Sequence, residues 1–374
     1  MKFVIAPDKF KGSLSGIEFC NAAEKGIKNI FPNATIVKIP LADGGDGTID
    51  ALQHTLQGEK TEVLVNNPLS NPVLATYLYV SKTQTAIIEM AEASGLRLLK
   101  TSELNCMQSS SFGTGELILD AINRGAKNII LGIGGSATND AGIGIATALG
   151  FRFLDKKKQV ITPTGENLNQ ISEIDDSQVN PLLKNTSIQV ACDVSNPLHG
   201  KNGAAHIYSK QKGASEKEII LLDEGLLHFS NIIQNTYTID CNIISGAGAA
   251  GGLGAGSVIF LNAKLQSGIE LIKTITKFDT IIQNADWIIT GEGKLDNQTL
   301  SGKTIAGILK SAHKKNIPVA AFCGAVTISK KEQNSLGLKY VSAISEDSND
   351  LQHAMQQSSK NLELSISNFC RSLK

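Results

Sequence analysis

The first dozen residues, MKFVIAPDKFKG, hold no apolar run long enough for a signal-peptide core or a membrane span, because the run stops at Pro7 and charged residues follow. The sequence therefore predicts a cytoplasmic protein with no membrane partner. Neither sign of charge is in excess: 35 Lys and Arg balance 35 Asp and Glu along the chain. Without a long-range field of one sign, nucleic acid and anionic surfaces are excluded as expected partners, and a small molecule remains. Six cysteines are widely separated with no CxxC spacing. That is too few for a disulfide scaffold of this length and predicts reduced, structural thiols. The six histidines form no HExxH and no i,i+4 pair, and no GxSxG occurs, which removes zinc hydrolases and elbow-type serine hydrolases. Internal repeats and low-complexity linkers are missing as well.

What the chain has in excess is glycine, 35 residues, clustered between hydrophobic runs as in backbone loops that approach a ligand. A length of 374 residues exceeds one typical core of roughly 100–200 residues, so two α/β domains, one inserted in the other, are expected. Residues 2–6 read as a short strand. Ser15 and Glu18 then stand at capping-box spacing ahead of the amphipathic set Ile17, Cys20, Ala23, Ile27 and Ile30, a helix ending near Pro32. A second strand at 35–40 runs into ADGGDGT (42–48). The C-terminal part repeats this order: a strand at 287–290, the loop GEGKLDNQTLSGK, a helix with Ile305, Ile308, Leu309 and Ala312 on one face, and strands at 318–322 and 340–344. Both ends thus predict one open, doubly wound sheet whose polar loops lie at the carboxyl ends of its strands. The middle supplies a strand at 86–90, a helix at 115–123 closed by Gly125, and a strand at 128–133 entering GIGGSATNDAGIG.

Each loop admits more than one reading. APDKFKGSLSG (6–16) sets Asp8 at a strand end and Lys9, Lys11, Ser13 and Ser15 around a helix N-terminus; it is either an anion site or a capped turn. Asp43 and Asp46 among three glycines either face Mg²⁺ or a substrate hydroxyl, or form a polar turn. Asn139 with Asp140, and Asp193 with Asn196 after the apolar stretch 188–191, are ligand contacts or caps. Glu292, Lys294, Asp296 and Lys303 interleave acid and base as a Mg·phosphate site does, while SGKT is no P-loop because Asn297 stands where that pattern needs glycine. GAGAAG (246–251) matches the dinucleotide fingerprint, with Glu270 at ribose distance and a strand expected at 242–245. An apparent strand in SVIFLNAKL leaves its helix no room.

Nine blocks in order resemble the bacterial glycerate kinase family over essentially the whole chain: APDKFKGSLSG, PLADGGDGT, EMAEASGL, SSFGTGELI, GIGGSATNDAGIG, DVSNPLHG, QKGA, GAGAAGGLG and ITGEGKLDNQT. The chain departs from the usual pattern at Lys9 (often Ser), Asp46 (Glu), Ala141 (Gly) and Lys294 (Arg). The resemblance implies a Rossmann- or flavodoxin-like parallel-sheet domain from residues 1–61 and 285–374, an inserted α/β domain at 62–284, and a site in the cleft between them. It implies ATP and Mg²⁺ as cofactors and D-glycerate as substrate, with 2-phosphoglycerate the favoured product and a homodimer left open. In this reading Asp8, Lys11, Asp43 and Asp193 are catalytic. Ser13, Gly44, Gly45, Gly134, Gly135, Ser136, Asn139, Asp140, Asn196, Gly248, Gly251 and Lys294 contact substrate or nucleotide, and Glu292, Asp296 and Asp46 hold metal. Arg97 and Lys294 are candidates to clamp the substrate carboxylate. An NAD(P)-dependent reductase of a small hydroxy acid and a non-catalytic nucleotide-binding protein are the competing classes.

Overall fold

The computed structural model describes residues 1–10, 12–296, 304–344 and 351–374, with the backbone alone for 351–354. Lys11 and Lys303, both singled out above, lie outside the described residues. Two compact units are present: residues 1–43, 50–57 and 268–374 form the first, and 44–49 with 58–267 form the second. Where the sequence assigns residues up to 284 to the insert, the helix Gly268–Ile275 belongs to the first unit, because Ile269 packs on Gly307 so closely that a Cβ there would lie 2.5 Å from its Cγ1.

In the first unit the strand Lys2–Ile5 leads into the helix Gly16–Lys28. The expected capping box is formed: Glu18 N–H donates to Ser15 Oγ at 3.3 Å, and Ser15 N–H donates back to Glu18 Oε2 at 2.8 Å. The helix is capped at Asn29, its last turn running on to Phe31 just ahead of Pro32, and the Lys28 ammonium donates to the carbonyls of Pro32 and Ala34 beyond it. Its inner face buries Phe19, Cys20, Ala23 and Ile27 against Phe3 and Ile5 and against Leu362, Ile366 and Phe369 of the helix Leu351–Arg371; each large apolar side chain enclosed in this way contributes about 1.5–3 kcal/mol. The sheet is all-parallel, in the order Tyr340–Ala343, Val319–Cys323, Trp287–Thr290, Lys2–Ile5, Thr35–Lys38. Numbered along the chain this is the flavodoxin-like order 2-1-3-4-5. Its direction of winding reverses between the strands Lys2–Ile5 and Trp287–Thr290, and ligands of open α/β sheets bind outside the carboxyl ends of the strands at such a reversal.

The second unit holds a six-stranded sheet in the order Lys264–Gln266, Ser187–Ala191, Asn128–Gly132, Thr85–Glu89, Pro72–Val80, Glu59–Asn66. The first four strands are parallel and the last two run as an antiparallel hairpin. Glu89, Gly132, Ala191 and Gln266 lie side by side in register, so the loops that follow them share one end of the sheet. Among the described residues no helix is long and apolar enough to cross a membrane.

Two elements differ from expectation. Residues 242–245, read as a strand, lie in and after a short 3-10 turn, Cys241–Ile243. The segment SVIFL, also read as a strand, ends the helix Ala249–Leu261, and Leu253, Ala255, Ser257, Phe260 and Leu261 of that helix are all buried. A helix enclosed on all sides carries no polar face, so its periodicity cannot be told from that of a buried strand. The dinucleotide fingerprint therefore fails for a different reason: a helix does follow GAGAAG, but the strand that must precede it is absent from the described residues 240–248.

Candidate active site

At the sheet reversal of the first unit, Asp8 continues the strand Lys2–Ile5, and its N–H donates to Gly291 O at 2.9 Å, the residue after the neighbouring strand. Both carboxylate oxygens are engaged. Thr304 Oγ1, on the first residue of the helix Thr304–Lys314, donates to Oδ2 at 2.6 Å, and Lys9 N–H donates to Oδ1 at 2.7 Å. Burial pushes the Asp8 carboxyl up, Thr304 and the Lys9 amide pull it back, and the nearby negative charge of Asp43 pushes it up again. Asp43 is held close by the main chain, since Leu41 N–H donates to Pro7 O at 2.9 Å. Two carboxylates thus sit within electrostatic reach at the position where this fold type receives ligands.

Of the described residues that follow in this block, Phe10 and Leu14 join the core. Phe10 and Leu14 are buried and bridge each other, Gly12 takes φ +75° in the turn between them, and the Ser13 hydroxyl donates to Ser358 Oγ at 2.7 Å. Glu18 already fills the helix N-terminus at which an anion was expected, and its hydrogen bonds to Ser15 hold its carboxyl below the usual range. On the opposite loop Lys294 and Asp296 face each other at 3.5 Å, and the Glu292 carbonyl accepts from Gly324 N–H at 3.1 Å.

In the second unit the glycine loops stack backbone on backbone. A Cβ on Gly132 would lie 2.0 Å from Gly44 O, and one on Gly134 would lie 3.4 Å from Gly45 Cα. Glycine is required at Gly132 for approach, not for turning, whereas at Gly134 a Cβ would stand at ordinary contact distance. Gly132→Ala is expected to push the 44–47 segment aside and lower kcat/KM about 10²-fold, the scale of an ångström-sized misplacement; steady-state kinetics on the folded variant check it. Glu89, absent from the sequence reading as a site residue, is fully buried and accepts from Gly47 N–H at 3.0 Å and Ile49 N–H at 2.7 Å, fixing the same segment. Burial pushes its carboxyl up, opposed by those two amides. Asp46 accepts from Arg97 Nη1 at 2.8 Å, and Arg97 also pairs with Glu92. The Arg97 charge is therefore spent within this loop cluster rather than held out for a substrate carboxylate.

Asn139 and Asp140 are wholly enclosed. Asp140 accepts from Ser111 N–H and Oγ, each at 2.7 Å, from Gly142 N–H at 3.1 Å and from Gly144 N–H at 3.3 Å. Asn139 Oδ1 accepts from Ser209 Oγ at 3.0 Å. These side chains shape the loop from inside. Ala141 takes φ +51°, a left-handed conformation that glycine adopts without steric cost. Ser136 Oγ accepts from the buried Lys212, a residue of the QKGA block to which the sequence assigned no role.

Asp193 is exposed, two residues past the strand Ser187–Ala191. Asn196 uses its side chain to brace its own loop, donating to Asn202 O at 3.0 Å and accepting from Tyr208 Oη at 2.7 Å. Gly248 and Gly251 permit close packing: a Cβ on either would lie 2.1 Å from the carbonyl oxygens of Pro197 and Thr138 respectively. Gly135, at φ +73°, passes its carbonyl to Leu96 N–H at 2.9 Å.

Comparison with known proteins identifies the family and the fold. The model of the "Glycerate kinase family" matches residues 3–374. A glycerate kinase of Halalkalibacterium halodurans is 44% identical over 366 residues, covering 98% of this chain and 96% of its own. The glycerate 2-kinase of Escherichia coli K12 is 45% identical over 327 residues, 87% and 86% of the two chains. A crystal structure of a Salmonella typhimurium LT2 protein assigned as glycerate kinase 2 superposes with a TM-score of 0.92 at 39% identity, over 100% of this chain and 98% of that one. With the match running from end to end in sequence and in fold, the chain belongs to the glycerate kinase family.

Proposed function

We propose that this protein transfers the γ-phosphoryl group of ATP to a hydroxyl of D-glycerate, with 2-phosphoglycerate as product. The observation that carries the chemistry is the Asp8–Asp43 pair at the winding reversal of a 2-1-3-4-5 sheet, in a chain of this family. Phosphoryl transfer asks a protein to position its reactants and neutralise charge more than to react covalently.

Asp8, with its carboxyl raised by burial and by Asp43, acts as the base toward the attacking hydroxyl. Thr304 and the Lys9 amide fix its orientation. Asp43 is the oxygen ligand for Mg²⁺, with Glu292 and Asp296 as further carboxylates of the same unit. Mg²⁺ keeps several waters and takes only one or two protein carboxylates beside substrate phosphates. The residues fit that demand in kind, since the carboxylates of Asp43, Glu292 and Asp296 are hard oxygen donors. When bound, Mg²⁺ neutralises charge on the phosphate oxygens. Asp193 and the loops carrying Gly44, Gly45, Gly134, Gly135 and Ser136 are the substrate-binding elements of the second unit, and Lys11 neutralises phosphate charge.

ADP release measured by a coupled assay is expected to require ATP, Mg²⁺ and D-glycerate together. ADP release that ignores glycerate, or oxidation of NADH in place of ATP use, overturns the reading. Asp43→Asn is expected to raise the Mg²⁺ concentration for half-maximal rate at least ~10-fold while the protein stays folded, the loss of one charged oxygen ligand being the cause.

A further inference from the structure

The helix and turn Ala204–Lys212 end on a lysine that is 2% exposed. Its ammonium donates to Ser136 Oγ at 2.8 Å and to Thr138 O at 2.6 Å, two points on the glycine loop that leaves the strand Asn128–Gly132. Three residues earlier Ser209 grips Asn139, so one short segment holds three of four consecutive positions of that loop's apex. Burying a lysine costs several kcal/mol unless it is well paired, and a neutral side chain could have filled the space. That loop leaves the strand at Gly132, where a Cβ would lie 2.0 Å from Gly44 O, and its own Gly134 lies beside Gly45, where a Cβ would stand 3.4 Å from Cα, at ordinary contact distance.

We infer that Lys212 is a positioning residue for phosphoryl transfer: its buried ammonium holds the loop 134–140 in the shape on which the stacked segment 44–47 rests. The inference depends on the kinase reading for its consequence in rate and on geometry alone for its consequence in loop order. Charge-assisted hydrogen bonds are about twice as strong as neutral ones, so the grip weakens when the lysine loses its proton. Burial lowers the Lys212 pKa to about 8; the titratable groups that face it are Asp140 and Cys106, both of which favour its charged form, and Glu218 acts on Cys106.

Lys212→Met keeps the volume of the stem, and Asp140 keeps all four of its donors, so this variant is expected to fold. Its kcat falls at least 10-fold. Amide exchange over 134–140 accelerates while that of the strand Thr85–Glu89 does not. The wild-type rate declines as pH rises through about 8, and Lys212→Arg, which keeps the charge, loses that decline and retains more activity than the Met variant. Wild-type kcat in the Met variant, unchanged exchange over 134–140, or a wild-type rate that is flat from pH 7 to 9.5 each overturns the inference, the last needing no variant to fold. A wild-type protein that makes no ADP with glycerate defeats the kinase reading instead, and the exchange comparison then still decides whether Lys212 holds the loop.

Discussion

Asp8→Asn lowers kcat at least ~10²-fold, the scale set by loss of a positioned general base. The amide retains an oxygen for the Thr304 hydroxyl, so circular dichroism is expected to stay that of the folded protein. The Michaelis constants change less than kcat, because the carboxylate acts on the proton in flight rather than on ground-state binding. The pH profile gives a second sign. Asp8 must be ionised to accept a proton, and its burial raises its carboxyl above the ordinary 3.8, so activity is present above that raised value and lost as pH falls through it. Asp8→Asn removes this acid limb. A variant within threefold of wild type, with a normal fold and an unchanged limb, takes Asp8 out of the chemistry.

The second large effect is on stability. Asp140→Ala leaves three backbone amides and the Ser111 hydroxyl without their acceptor and deprives the buried Lys212 of a nearby opposite charge. Breaking a buried charged network on one side costs about 3–5 kcal/mol, against total stabilities of about 5–15 kcal/mol. Urea unfolding of the variant is expected to show that loss. A cost below about 1 kcal/mol contradicts the role assigned to Asp140 as the inner support of the glycine loop.

The first unit was legible because its signals are local. Ser15 and Glu18 cap a helix at fixed spacing, and Ile305, Ile308, Leu309 and Ala312 mark one helical face, all four of them buried. The helix Ala249–Leu261 was not legible, since burial on every side erases the polar stripe that reveals a period. Among site residues, the sequence could place Asp8 and Asp43 on loops after the two strands of one β-loop-α-β unit, which pair as parallel neighbours, but not find the Gly291 and Thr304 partners of Asp8, because strand order is a long-range property: Trp287–Thr290 inserts beside Lys2–Ile5 across most of the chain. Asp140 and Asn139 were drawn as ligand contacts from their company of glycines, and nothing local distinguishes a carboxylate facing a ligand from one enclosed by four donors. Glu89 and Lys212 stood inside family blocks with no pattern to mark them. A buried charge is recognised only by the partners that the fold delivers to it.

The account is tested most directly by incubating the protein with Mg·ATP and D-glycerate and following the reaction by phosphorus NMR. The expected spectrum shows ADP and a phosphomonoester resonance that coincides with added 2-phosphoglycerate, both absent when glycerate is omitted. ATP left intact, or phosphate released as the inorganic ion alone, contradicts it.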